Sequence, residues 1–153
     1  MANTYINIYL HIVFAVKYRD ACIDGSWRER LYAYISSIFK AKEQFVVKIG
    51  GVSDHIHMLI SYNAKVPLPD LIRDVKSLTT NFINKERLVR GHFSWQKGYA
   101  CLSYSQSQIG DVVRYIDNQA QHHGKFGMQE ELRHMLDRYN ISYDDDYLFA
   151  EPE

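Results

Sequence analysis

The stretch "FVVKIGGVSDHIHMLISY", residues 45–62, decides how the chain is read. Two runs of aliphatic and β-branched residues flank the junction Gly50 to Asp54, whose Gly-Gly-Val-Ser-Asp composition suits a turn or a bulge. The pattern predicts two paired strands. Successive side chains of a strand point to opposite faces, so Ile56, Met58, Ile60 and Tyr62 share one face and His55, His57 and Leu59 the other. The first set is the more uniformly apolar and is expected to meet a helical core. The two imidazoles then fall on the opposite, more open face, with Cβ atoms about 7 Å apart from the strand rise. At that separation both rings can turn toward one metal ion. Two polar residues on the wet face of an antiparallel sheet would give the same pattern, so a third ligand is needed. His11, on the open side of an earlier strand, is a candidate for a supporting role.

Upstream, "YINIYLHIVFAV" alternates with period 2. Ile6, Ile8, Leu10, Ile12 and Phe14 lie on one face, and Tyr5, Asn7, Tyr9 and His11 on the other. "SWRERLYAYISSIFKAK" has helical spacing through Trp27, Leu31, Tyr34, Ile35 and Ile38, with Ser26 and Glu29 placed as a capping box. Downstream, a second helix starts near Pro69 or Asp70, with Leu71, Ile72, Val75, Leu78, Thr79 and Phe82 as its apolar stripe. "HFSWQKGYACLSYS" reads as a strand pair around Lys97-Gly98. "SQIGDVVRYIDNQAQHH" follows as a third helix and "QEELRHMLDRY" as a short fourth. This order, β-α-β-β-α-β-α, predicts an α+β fold: a ferredoxin-like (RRM-like) antiparallel sheet with helices on one face and a C-terminal helix.

The chain has 153 residues, of which 46% are hydrophobic, enough to build the core of a single domain spanning 1–153. No apolar run reaches the 18 to 20 or so residues of a membrane span. The N-terminal stretch lacks the basic flank and small-residue cleavage site of a signal peptide, so a cytoplasmic protein is expected. Cys22 and Cys101 form no CxxC pair, which argues against a disulfide framework or a thiolate zinc site. Net charge is zero, but it is unevenly spread. Residues 1–100 carry 14 basic and 8 acidic side chains, residues 101–153 carry 4 and 10, and an acidic tail occupies about 141–153. A basic body with an acidic tail is compatible with a local surface for an anionic ligand.

The third predicted helix adds a second constellation. Ile109, Val112, Val113 and Ile116 form its apolar stripe, and Tyr115 and Gln119, four residues apart, stack on one side. A phenol with a pKa near 10 attacks poorly at neutral pH unless its electrophile is polarised or its proton removed. A divalent ion held by His55, His57 and a side-chain amide would keep its full charge and act as a Lewis acid on a phosphodiester. Magnesium prefers oxygen ligands and manganese accepts imidazole more readily, so Mg²⁺ or Mn²⁺ is expected.

"DHIHML" resembles the His-hydrophobic-His motif of the HUH endonucleases, and "RYIDNQ" resembles the tyrosine helix of their single-tyrosine transposases, which move small bacterial insertion sequences as single-stranded DNA. "HIVFAVKYR", "LIRDVKSLTTNFIN", "FSWQKGYACLSYS" and "NQAQHHGKFGMQEELRHML" are similar to other parts of that family, in the same order. The resemblance implies that Tyr115 attacks a DNA phosphodiester to give a 5′-phosphotyrosine and a free 3′-hydroxyl. It further implies that His55, His57 and Gln119 bind the metal, that the substrate carries hairpin ends, and that the protein is a homodimer with composite active sites. Asp54 is expected to cap its turn. Two other readings compete: an inactive or domesticated relative that only binds DNA or RNA hairpins, and a metal-dependent hydrolase in which Tyr115 merely packs.

Overall fold

The computed structural model describes residues 3–18, 22–119, 127–144 and 148–149. Strands β1 (Tyr9–Ala15), β2 (Phe45–Gly51), β3 (His55–Ser61) and β4 (Ala100–Tyr104) form one antiparallel sheet in the order β2-β3-β1-β4. Helix α1 (Gly25–Ala41) links β1 to β2, and α2 (Leu68–Lys85) links β3 to β4. A single 3₁₀ turn, Gln106–Gln108, then leads into α3 (Ile109–Asp117), and α4 (Met128–Arg138) follows. This is the α+β, ferredoxin-like arrangement expected from the sequence.

The alternation read from β3 sorts its side chains as expected. Ile56, Met58 and Ile60 are fully buried in a cluster with Ile12 and Phe14 of β1, Leu31, Ile35 and Phe39 of α1, and Leu71 and Val75 of α2. Helix α1 begins two residues earlier than its capping-box pattern suggests. Asp24, and not Ser26, is the N-cap, accepting a hydrogen bond from the Ser26 amide at 2.8 Å. Residues 5–8 precede β1 instead of extending it, and Tyr5 and Ile6 are exposed.

Two expectations need correction. No strand pair forms around Lys97-Gly98. Trp95 makes one isolated bridge to Val16, and β4 starts only at Ala100. Ser94 and Gln96 bond to Lys17 and Ala15 at and just past the end of β1, but the Lys76 ammonium of α2 then takes up the Gln96 and Gly98 carbonyls and Gly98 sits at φ +84°, so the pairing stops there. The second correction concerns the face carrying the histidines, which is not open. Helix α3 packs there on Leu59 through Val112 and Ile116, and α4 adds Met128, Leu132 and Met135. His55 and His57 are therefore 1% and 0% exposed.

Candidate metal centre and tyrosine site

Strand register assembles the site. Val13 of β1 and Gly50 of β2 flank His57 of β3 on either side. Gly50 is what allows α3 to come close. A Cβ at that position would stand 2.7 Å from Ile116 Cγ2 and 2.8 Å from the Ile116 carbonyl oxygen, so only a residue without a side chain fits beneath the helix. Tyr115, next in the chain to Ile116, is thereby brought over the sheet, its ring 5.7 Å from that of His57 and edge-on to it.

The outer nitrogens of both imidazoles are held. His55 Nδ1 lies 2.7 Å from Asp54 Oδ1, and His57 Nδ1 lies 2.7 Å from His11 Nε2. The inner nitrogens converge on a carboxylate that sequence reasoning did not single out, Glu131 of α4. His55 Nε2 is 3.2 Å from Glu131 Oε2, and His57 Nε2 is 3.2 Å from Glu131 Oε1. The Tyr115 hydroxyl and Gln119 Nε2 (3.1 Å) both donate to Glu131 Oε1. Glu131 is 5% exposed and Gln119 1%.

All four residues named from the sequence, His55, His57, Tyr115 and Gln119, thus meet in one place, although α3 ends at Asp117 and Gln119 lies beyond its cap. His11 supports His57 from behind. Asp54 does more than shape a turn, since its carboxylate orients the next residue's ring. His92 and His134 lie elsewhere on the surface, His134 beside Glu130 at 3.8 Å. His122 and His123, with the end of the third predicted helix, lie outside the described residues. A signal for Glu131 was present: Met128, Glu131, Leu132 and Met135 fall at i, i+3, i+4 and i+7, which places an acid inside the apolar stripe of an amphipathic helix.

The electrostatics follow from burial. Burial lowers the pKa of His57 and of His11. His55 is also penalised by burial, yet the hydrogen bonds and charges of Asp54 and Glu131 outweigh this and raise it to about 9. Burial likewise works against the charged form of Glu131, but the two imidazoles that face it at 3.2 Å hold it far below the ordinary carboxylate range. Burial, reinforced by the Glu131 charge, drives the Tyr115 phenol far above 10. Burial thus favours the neutral forms of His57 and of the Tyr115 phenol, while Asp54 and Glu131 favour the charged form of His55.

The donor set suits a divalent cation. One atom each from His55, His57 and Glu131 can be chosen so that all lie within 4.8 Å of one another. Among the described residues, His57 Nε2, Glu131 Oε2 and Gln119 Oε1 are buried with no hydrogen-bond partner. Buried donors and acceptors left in this state are costly unless something coordinates them. On the other side of Tyr115, a pocket of about 210 Å³ opens between α3 and α4, bordered by Tyr104, Gln108, Arg138 and Tyr139.

Residues 4–119 match the family model described as "Transposase IS200 like". The chain belongs to that family. The transposase of ISDra2 from Deinococcus radiodurans is 25% identical over 115 residues, covering 71% of this chain and 81% of the relative. The transposase for insertion sequence element IS200 of Salmonella typhimurium is 25% identical over 122 residues, covering 75% and 80%. In fold, the chain is similar to a REP-associated tyrosine transposase bound to a REP hairpin, with a TM-score of 0.61 at 13% identity, covering 100% of this chain and 93% of that one. Membership of an IS200-like transposase family makes this a DNA-processing type of protein. No helix among the described residues is long and apolar enough to cross a membrane.

Proposed function

We propose that this transposase cleaves and rejoins single-stranded DNA at insertion-sequence ends through a covalent bond between Tyr115 and a 5′-phosphate. The observation that carries the reading is the Tyr115 hydroxyl tied into the buried His55–His57–Glu131 cluster. A phenol that only packed would not need a hydrogen bond to a charged carboxylate inside the protein.

His55 and His57, with Gln119 beside them, would hold Mg²⁺ or Mn²⁺, which when bound would polarise the scissile phosphate and ease loss of the phenol proton. The protein's own groups do the rest. Asp54 and His11 fix the two rings so that Nε2 faces inward. Gly50 and Ile116 set the height of α3 above the sheet and with it the position of the phenol oxygen. In the reaction the Tyr115 oxygen bonds to phosphorus, the bond from phosphorus to the 3′-oxygen breaks, and that oxygen leaves as a hydroxyl after gaining a proton. The reverse attack by a 3′-hydroxyl rejoins DNA without ATP, because phosphodiester energy is kept in the tyrosine ester. The proposed substrate is a single strand with a hairpin near its end, the class of ligand named for the structural neighbour. A homodimer belongs to the proposal. Since one chain brings Tyr115 to its own histidines, composite sites would require an exchange of α3 through the turn at Gln106–Gln108.

The test is cleavage of labelled oligonucleotides copied from the DNA flanking the gene, single-stranded and duplex, with Mg²⁺, Mn²⁺ or EDTA. A metal-dependent protein–DNA adduct formed on single strands alone is expected. Cleavage without an adduct would make the protein a hydrolase, and hairpin binding with neither would make it a DNA-binding relative.

A further inference from the structure

We propose that Glu131 is itself a ligand of the divalent ion, so that α4 adds a carboxylate to the centre formed by the two histidines with Gln119 beside them. This deepens the metal-dependent reading above and rests on it.

The distances favour coordination over a plain ion pair. Donor atoms held about 2.0–2.2 Å from one ion stand roughly 3.0–3.4 Å apart when they are neighbours in its shell. His55 Nε2 lies 3.2 Å from Glu131 Oε2 and His57 Nε2 3.2 Å from Glu131 Oε1, so the two carboxylate oxygens together face both imidazoles. This distance is long for a charge-assisted N–H···O bond, which prefers about 2.7–2.9 Å. Neither His57 Nε2 nor Glu131 Oε2 has a hydrogen-bond partner among the described residues. The wider surroundings are those of a metal site as well: each imidazole has its far nitrogen engaged, and Gln119 Nε2 steadies the carboxylate through Oε1 while Oε2 faces His55. A carboxylate 5% exposed is expensive to bury, and a divalent ion offsets that cost better than one imidazolium can.

Two consequences follow. The centre carries one negative ligand, which brings the local charge to +1 instead of the +2 that neutral ligands would leave. Two imidazoles with one carboxylate also favour Mn²⁺ over Mg²⁺. In addition, the phenol that attacks DNA is hydrogen-bonded to a metal ligand, so α4 links the filling of the centre to the placement of Tyr115.

The experiment titrates Mn²⁺ into the DNA-free protein and follows loss of the free-ion signal by electron paramagnetic resonance. The rise in melting temperature with Mn²⁺ is measured in parallel. Wild type, Glu131→Gln and, as a control for loss of the site, His57→Ala are compared. The wild type is expected to take up one Mn²⁺, more tightly than Mg²⁺, and Glu131→Gln to weaken uptake at least tenfold and to shrink the melting shift. Uptake by Glu131→Gln as tight as by the wild type would overturn the assignment of Glu131 and leave the transposase reading standing. Absence of Mn²⁺ from the wild type would overturn the metal centre and this ligand with it. Should Glu131→Gln not fold, Glu131→Asp keeps the charge but withdraws the carboxylate by one methylene. Weakened uptake is expected there, and unchanged uptake would overturn the proposal.

Discussion

On the α1–α2 side of the sheet, Phe14, Met58 and Ile60 disappear into an aliphatic and aromatic cluster. On the α3–α4 side, His55, His57, Gln119 and Glu131 are just as deeply buried, ringed by Val13, Met128, Leu132 and Phe149. The same strand, β3, supplies both faces. Burial on the first side removes apolar surface from water and stabilises the fold. Burial on the second side costs free energy for each polar group, and several of these groups are left without a hydrogen-bond partner, as a site that coordinates an ion would leave them. One side therefore holds the protein together and the other holds the proposed chemistry, which substitutions on the two sides should separate.

The largest effect is expected at Tyr115. Tyr115→Phe should reduce strand cleavage by ~10⁴-fold or more, as loss of a nucleophile does, while the melting temperature changes little. Residual adduct at near wild-type yield would show that the polar side is structural only. Next comes Phe14→Ala on the apolar side, where a fully buried ring packs at 4.7 Å against Trp95. Denaturant unfolding should register a loss of about 3–5 kcal/mol, and whatever folded protein remains should cleave DNA at an unchanged rate. Asp54→Asn should leave the fold intact but weaken Mn²⁺ binding by about 10–100-fold, the usual cost of losing a partner that orients a ligand histidine. Calorimetric titration showing wild-type affinity would remove Asp54 from the site. The smallest effect is expected where the two sides share a structural element. Gly50→Ala forces Ile116 and α3 away from the sheet, and should cost about 1–3 kcal/mol of stability by overpacking while cleavage falls as Tyr115 shifts. Full activity in that variant would mean that the height of α3 does not govern the phenol.

The apolar side was almost fully legible in the sequence, because period 2 in β1 and β3 and helical spacing in α1 and α2 follow directly from burial on one face. On the other side, the His55–His57 and Tyr115–Gln119 spacings marked candidate residues, and the roles expected of them came from the resemblance to single-tyrosine transposases. That their face was closed was not legible, since nothing in the strand pattern says that two further helices will fold back over it. Glu131 went unnoticed for the same reason: an acid in a helix normally faces water, and only its place between Met128 and Leu132 in the apolar stripe marked it. The Trp95–Gly98 segment misled because its strand-like start does meet β1 at Gln96, but the Lys76 ammonium then takes up the Gln96 and Gly98 carbonyls and Gly98 turns at positive φ. The end of the tail shows a similar limit, for Leu148 and Phe149 pack into the core although the acidic residues around them suggest a solvated tail.

The central claim is that the Tyr115 oxygen becomes joined to DNA. The direct measurement is mass spectrometry of tryptic peptides after reaction with a single-stranded substrate and nuclease trimming. The account predicts a nucleotide phosphate on the peptide Tyr115–Lys125, located at Tyr115 and absent when EDTA is present. A nucleotide on any other tyrosine, or cleaved DNA with every tyrosine unmodified, would contradict it.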